Sequence, residues 1–252
     1  MSAADGSHVV VAASSRRRHR MIDRVAAILE RVARSDHGLS LTDLATDIDA
    51  PLSSTQGLVN GLVATGYLDE IEKRYVLGTA PYLINLMAGR RFVTQVTRAD
   101  LEALHGEVGM TIVLAIAVGQ DVFYIDHCSS DPRFAYLAEN YVRRSLIRTS
   151  AGWVLLADWD KRDLWSYLKS LGSDDAARVD DLLGALPDIQ ATGISASPHV
   201  SEHGDGVSVA VREQGRTVAA VAVVGTAEQI EHGRDELVAA LRRHRDGWSE
   251  RR

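Results

Sequence analysis

Three stretches in the first third of the chain carry apolar residues at helical spacing. From Met21 to Val32, from Leu41 to Ile48 and from Leu52 to Val63, apolar side chains recur every three or four residues, which places them on one face of a helix. Asp49, Ala50 and Pro51 separate the second stretch from the third and are typical turn residues. The pattern therefore predicts three helices, the last two joined by a tight turn.

Two short alternating segments follow the third helix. Tyr67 to Ile71 and Tyr75 to Leu77 alternate like strands, and Glu72, Lys73 and Arg74 would form the tip between them. Gly66 stands where a left-handed residue is expected to end the third helix. Two helices joined by a turn, about residues 41–60, and a hairpin make a winged helix-turn-helix, which we predict over residues 20–79 as a DNA-binding domain.

The rest of the chain mixes helical and strand patterns. Residues 80–107 are again helix-like, with a polar joint near residues 89–91, and predict a linker helix. Two hairpin patterns, at 111–128 and 207–224, are separated by helical runs and followed by a final helix from about residue 227. This order predicts an α+β fold with a separate second domain, residues 108–248, built around an antiparallel sheet with flanking helices.

Composition excludes several classes of protein. The longest apolar runs, such as Thr111 to Val118, are far shorter than the roughly 20 residues of a membrane span, and the N-terminal segment lacks the order of a secretory signal, so we expect a cytoplasmic protein. The single cysteine, Cys128, excludes a disulfide framework and a multi-cysteine zinc site. No phosphate-binding loop, dinucleotide fingerprint or nucleophile elbow is present. We expect no cofactor, no metal and no enzymatic activity.

The charge distribution changes the picture of the helix-turn-helix. From Ser35 to Glu72 the chain has seven carboxylates and neither Lys nor Arg, although 28 basic residues spread evenly over 252 would place roughly four there. DNA-binding proteins usually draw their non-specific affinity from cations set against phosphates. The predicted suppliers lie outside this span. They are the basic segment Arg16, Arg17, Arg18 and Arg20, mostly in a flexible tail over residues 1–19, and Lys73 and Arg74 at the wing.

The alternative interpretation of the basic segment is a run of charged residues that contact only solvent in a disordered tail. The third helix also has two interpretations: sequence readout by neutral polar side chains, or an ordinary solvated helix face. We predict that residues of the second and third helices read the DNA sequence and contact phosphates. These residues are Thr42, Ser53, Ser54, Thr55, Gln56 and Asn60. Gly57 and Gly61 leave two positions on the exposed face of the third helix without side chains, and each costs about 1 kcal/mol of helix stability relative to Ala.

These motifs together resemble the IclR-type (isocitrate lyase regulator) transcription factors. The resemblance runs from about Arg20 to His244 and rests on LSLTDLATDIDAPLSSTQGLVNGLVATGYL, KRYVLG, TSAGWVLLA and GRTVAAVAVVG, in that order. It implies a winged helix domain followed by an effector-binding domain with a GAF/PAS-like sheet. It also implies a homodimer or dimer of dimers on double-stranded operator DNA, with no membrane partner. Similar proteins usually carry Arg in the third helix where this chain has Gly57.

The resemblance also implies an effector site between the sheet and a helix that opens with an Ala-Gly pair. Ala151 and Gly152 match the pair. The polar residues of the family do not recur, since Ser197 stands for an Asp, Val209 for a Cys, and Ala222 and Val224 for two serines. An apolar pocket lined by Tyr141 and Trp153 would favour a small aromatic or largely apolar organic acid from a catabolic pathway. The alternative is an effector-free or degenerate regulator acting through protein contacts.

Overall fold

The computed structural model describes residues 19–88, 93–134, 142–196 and 205–250. The chain divides into two compact units, with residues 16–91 in one and residues 92–252 in the other. The first unit contains α1 (Arg20–Ala33), α2 (Leu41–Asp47), α3 (Leu52–Ala64), β1 (Leu68–Ile71), β2 (Arg74–Leu77) and α4 (Ala80–Ala88). The predicted winged helix-turn-helix is confirmed.

The core of the first unit follows the apolar stripes of its helices. Ile28, Leu44, Val59 and Leu68 are fully buried against one another. Ser40 begins α2 with a capping box, in which its hydroxyl accepts from Asp43 N at 3.2 Å and its own N–H donates to the Asp43 carboxylate at 3.1 Å. The hydrogen bonds from Ser40 hold the pKa of Asp43 below its usual value. At least one carboxylate of residues 35–72, that of Asp43, therefore stabilises the fold.

The wing is a two-stranded antiparallel hairpin extended by one bridge. Leu39 pairs with Tyr75 through hydrogen bonds of 3.0 and 2.8 Å, so the chain before α2 lies alongside β2. Gly38 precedes this bridge with φ of +69°, and a Cβ there would lie 2.9 Å from the Tyr75 carbonyl oxygen. Only glycine meets both demands. The bridge therefore ties the wing to the helix-turn-helix.

The predicted linker helix over residues 80–107 is wrong as a single helix. α4 ends at Ala88, residues 93–97 are not helical, and α5 (Arg98–Val108) begins afresh. Thr97 caps α5, because its N–H and its hydroxyl each donate to the Asp100 carboxylate at 2.8 Å. Leu101 and Leu104 of α5 are fully buried in the core of the second unit. Hence α5 belongs to the second domain, and the helical pattern spans two helices with different neighbours.

The second unit is a six-stranded sheet with helices on both faces. After α5 come β3 (Thr111–Val118), β4 (Asp121–Cys128), β5 (Arg143–Ser145), α6 (Ser150–Leu156), α7 (Lys161–Ser170), α8 (Ala176–Thr192), β6 (Ile194–Ser195), β7 (Asp205–Glu213), β8 (Arg216–Gly225) and α9 (Ala227–Glu250). The strand order is β5-β4-β3-β8-β7-β6, and all neighbouring pairs are antiparallel. The predicted α+β class is confirmed.

Alternation along the strands separates two apolar layers. One face packs against α6, α7 and α8, and the other packs against α5 and α9. On β7, Ala210 belongs to the first layer, whereas Val207, Val209 and Val211 belong to the second, as the period of two in a strand requires. No helix in the described ranges is long and apolar enough to cross a membrane.

Candidate functional site

The outward face of α3 carries neutral polar side chains. Ser53, Ser54 and Asn60 are exposed and Gln56 is half-buried. The Gln56 side chain donates from Nε2 to Asn60 Oδ1 at 2.7 Å, one helical turn further on. The hydrogen bond holds the two amides side by side and leaves the Gln56 oxygen as an acceptor and the Asn60 amide as a donor, the complement of an adenine edge in the major groove.

Gly57 and Gly61 lie on the same face, and no contact with the described residues requires them. A Cβ added at either position would meet nothing within 4 Å, and both residues have ordinary helical backbones. Each glycine therefore costs helix stability without an internal packing gain. Their effect is to leave the backbone of α3 open to whatever approaches from outside.

Thr55 does not lie on this face, so its predicted DNA contact is wrong. Its side chain is fully buried with Val59 and Leu62. The Thr55 hydroxyl donates to the Pro51 carbonyl at 3.1 Å, and this bond satisfies the hydroxyl inside the domain. Thr55 thus fixes the first turn of α3 against the core.

The first turn of α3 offers donors without a formal charge. Its N-cap is Pro51, which has no side-chain acceptor for the amides that follow, and the first amides of a helix lack intrahelical partners. Ser53 and Ser54 add exposed hydroxyls to this turn. Thr42, the second residue of α2, is also exposed. Groups of this kind can donate to a phosphate oxygen in place of a lysine or arginine.

Of the predicted cationic contacts, Arg20, Lys73 and Arg74 are described, and none of them belongs to α2 or α3. Arg20 is the first residue of α1 and is exposed, while Arg16, Arg17 and Arg18 lie outside the described residues. Glu72 and Lys73 form the two-residue turn of the wing, with φ of 51° and 63°, as a type I′ turn requires. Arg74 lies in β2 beyond that tip, and its Nη1 donates to the Gly38 carbonyl at 3.0 Å. Lys73 is therefore the cation presented by the wing tip.

In the second domain, α6 lies directly against the sheet. Ala151, Gly152 and Trp153 are all buried. The Thr149 hydroxyl caps α6 by accepting from Gly152 N at 2.9 Å, and Trp153 Nε1 donates to the Ile147 carbonyl at 2.8 Å. A Cβ at Gly152 would overlap the carbonyl of Leu146. Gly152 is thus required for the close approach of α6 to the preceding 3₁₀ turn, Leu146–Arg148.

The strand residues of the predicted effector site divide between the two faces of the sheet. Ala222 and Val224 of β8 belong to the layer under α6. Val209 points into the layer formed with α5 and α9, so its assignment to the effector site is wrong by one position of the strand. Tyr141 and Ser197 lie outside the described residues.

Three serines form a polar cluster beneath α6 that the sequence reasoning missed. Ser150 Oγ and Ser208 Oγ lie 2.7 Å apart and are buried. Ser195 of β6 is the cross-strand partner of Ser208, and among the described residues its buried Oγ has no hydrogen-bond partner. The signal was available, because Ser208 and Ala210 alternate with the valines of β7. We name Ser150, Ser195 and Ser208 the serine cluster.

No group of three or more metal-ligating side chains occurs in the part of the chain that the structure describes. A winged helix with an outward polar face, followed by a separate sheet domain with a buried polar cluster under one helix, is the architecture of a DNA-binding transcriptional regulator. The chain belongs to the IclR family. The IclR helix-turn-helix domain matches residues 21–71, and the bacterial transcriptional regulator IclR C-terminal domain matches residues 87–248. Members of this family are transcriptional regulators and not enzymes.

Known relatives agree with this assignment. The HTH-type transcriptional regulator TtgV of Pseudomonas putida is 24% identical over 192 residues, which cover 74% of this chain and 73% of TtgV. An IclR homolog from Microbacterium hydrocarbonoxydans, solved in complex with 4-hydroxybenzoate, shares the fold with a TM-score of 0.68 at 23% identity, covering 90% of this chain and 97% of its own. A putative IclR transcriptional regulator from Silicibacter sp. TM1040 gives a TM-score of 0.70 at 18% identity, covering 92% and 95%.

The packing at α6 predicts opposite effects for two glycine substitutions. Gly152→Ala should destabilise the protein by roughly 1–3 kcal/mol or more, because its methyl group would collide with backbone that cannot rotate away. Gly184→Ala is the matched control, since Gly184 is an exposed residue within α8 and a Cβ there meets nothing within 4 Å. It should stabilise by up to about 1 kcal/mol. Urea unfolding of both variants measures the difference, and equal stabilities would contradict the packing described for α6.

Proposed function

We propose that this protein is a cytoplasmic, ligand-responsive regulator that binds operator DNA as a homodimer or a dimer of dimers. The observation that carries the DNA-binding mode is the Gln56–Asn60 pair on an α3 face without cations. In this mode α3 discriminates between sequences, and the phosphate affinity comes from the basic segment, Lys73 and the uncharged donors at the start of α3 and α2.

A second copy of the chain accounts for the exposed face of α4. Tyr82, Leu83, Ile84 and Met87 are between 50% and 78% exposed, which is unusual for four large apolar residues within two turns of one helix. A symmetric pairing of α4 helices would bury Leu83, Ile84 and Met87, which lie on one side of the helix. It would also present two α3 helices to two half-sites of an operator.

The effector site that we propose lies between α6 and the sheet. Ala222 and Val224 provide apolar wall on the sheet side, and the serine cluster provides a few hydroxyls. A small aromatic or largely apolar organic acid fits this combination, because the ring would bury against the apolar side chains while hydroxyls bind its carboxylate. Ser195, whose Oγ is unsatisfied among the described residues, would gain a partner. The 4-hydroxybenzoate bound to the Microbacterium homolog belongs to this chemical class.

Such a ligand regulates only if it binds two arrangements of the protein with different affinity. The rival is an effector-free or degenerate regulator that acts through protein contacts. The close packing of Ser150 on the sheet favours this rival, since a Cβ at Gly206 would lie 2.9 Å from Ser150 Oγ. An effector would therefore have to displace α6 from its present position.

DNA binding over a salt series tests the proposed source of phosphate affinity. Deletion of residues 1–18 should weaken binding to the protein's own promoter region. It should also reduce the slope of log K against log salt by about 0.9 for every phosphate that the protein no longer neutralises. Deletion of residues 1–14 removes most of the tail but keeps all of the arginines and is the matched control. If the two deletions and the intact chain bind alike, Arg16, Arg17 and Arg18 have no role in DNA binding. If no form binds specifically, DNA readout by this protein is refuted.

A thermal-shift and calorimetric titration with benzoate and 4-hydroxybenzoate tests the effector site. The intact protein should be stabilised by at least one of these acids, and Ser208→Ala should weaken that binding roughly tenfold or more, because it removes a hydrogen bond to the carboxylate. Ser170→Ala, which removes a hydroxyl from the end of α7, should bind like the intact protein. Silence of the intact protein toward aromatic acids would favour the effector-free rival, and equal binding by both variants would exclude the serine cluster.

A further inference from the structure

A separate cavity of about 290 Å³ lies in the second domain, where the end of α8 meets β7 and the C-terminal part of α9. Among the described residues, none of α6 lines it. Its polar lining includes Gln95, Thr192, Arg212 and Arg245. The proposed effector site and the DNA surface make no use of these residues, so the cavity needs its own explanation.

Two guanidinium groups converge on this cavity over Gly193. Gly193 ends α8 in the left-handed conformation, with φ of +69°. The point that a Cβ of Gly193 would occupy lies 3.5 Å from Arg245 Nη1 and 4.0 Å from Arg212 Nη2. Because glycine has no side chain, both nitrogens border the same open space.

The two arginines differ in how they are held. Arg245 donates from Nη1 to the Thr192 carbonyl at 2.6 Å and from Nε to Asp246 at 3.2 Å, and the Asp246 side chain is 67% exposed. Arg212 is exposed, and its side chain has no hydrogen-bond or ion-pair partner among the described residues. The neighbouring carboxylate, Glu213, uses Oε1 to accept from Thr94 and from Gln95 N. Arg212 thus brings to the cavity a positive charge that no described carboxylate pairs with.

We propose that this cavity binds a small ligand bearing an oxyanion, a carboxylate or a phosphate group, between Arg212 and Arg245. Guanidinium groups match both oxyanions because their N–H donors are planar and form parallel hydrogen bonds. The Thr192 carbonyl holds Arg245 in place before the ligand arrives, which reduces the ordering cost of binding. The buried ring of Trp248 supplies an apolar wall. The volume limits the ligand to a small one, since drug-sized sites usually exceed roughly 300 Å³.

The position of Gln95 gives this site a contact with the start of α5. Gln95 belongs to the segment 93–97 that precedes the Thr97 cap, and Glu213 already anchors the segment through its backbone. A ligand in the cavity would add a second anchor.

Titration of the intact chain with inorganic phosphate and, separately, with acetate tests the proposal, with sodium chloride holding the ionic strength constant. One or both anions should raise the melting temperature above that in chloride alone, and the comparison distinguishes phosphate from carboxylate ligands. Arg212→Gln should weaken binding roughly tenfold or more, as expected when a charge-assisted hydrogen bond is removed. Arg245→Gln should do the same.

Arg242→Gln is the matched control, because Arg242 is an exposed arginine of α9 that does not line the cavity. It should respond to the anions like the intact protein. Arg212 is exposed and its side chain makes no hydrogen bond to the described residues, so Arg212→Gln should fold normally even if Arg245→Gln does not. The proposal is overturned if neither anion stabilises the intact protein beyond chloride. It is also overturned if Arg212→Gln and Arg242→Gln respond alike, which would indicate general charge screening.

Discussion

A protein that binds DNA must offset the negative charge of the phosphates, and the helix-turn-helix of this chain carries no cation with which to do so. Residues 35–72 contain seven carboxylates and neither Lys nor Arg. One of these carboxylates, Asp43, caps α2, so part of the negative charge serves the fold. The exposed face of α3 is thus neutral and polar, and under the proposed function the attraction to phosphates comes from other parts of the chain.

Within that constraint the structure of α3 is consistent with close approach and selective hydrogen bonding. The Gln56–Asn60 hydrogen bond orders two amides on the exposed face, which would lower the entropy cost of a contact with a base. Gly57 and Gly61 cost helix stability, and a Cβ at either position would contact none of the described residues outside the local helix backbone. A surface that gains little from long-range charge depends more on short-range fit, and small residues allow that fit.

Much of the fold could be predicted from the sequence, because it depends on strong local patterns. The stripes of α1 to α3 and the hairpin of the wing each follow one period, and β3 and β8 are continuous apolar runs next to turn residues. The prediction of a single linker helix is wrong because a helical period does not reveal which neighbour a helix packs against. The Thr97–Asp100 pair that caps α5 is the local signal that a new helix begins there. The predicted DNA contact of Thr55 is wrong because the buried face of α3 was defined by apolar residues only. Thr55 also lies on that face, since its hydroxyl donates to a carbonyl at the start of the same helix.

The effector site was the least predictable part. Placing Val209 there required choosing a strand face, and an error of one residue reverses that choice. Ser150 and Ser195 are distant from Ser208 in sequence and meet only through the contact of α6 with the sheet and the pairing of β6 with β7. The two arginines at Gly193 likewise come from different elements, and no local pattern joins them.

The most direct test asks whether α3 contributes sequence discrimination or electrostatic attraction to DNA. A Gln56→Ala, Asn60→Ala double variant, titrated against operator and random duplex over a range of salt concentrations, should lose roughly 1–3 kcal/mol of operator affinity for each base contact removed. Its affinity for random duplex and its slope of log K against log salt should stay those of the intact protein. Equal losses of affinity for both duplexes, or a smaller salt slope, would show that α3 supplies attraction to phosphates and would contradict its role in sequence discrimination.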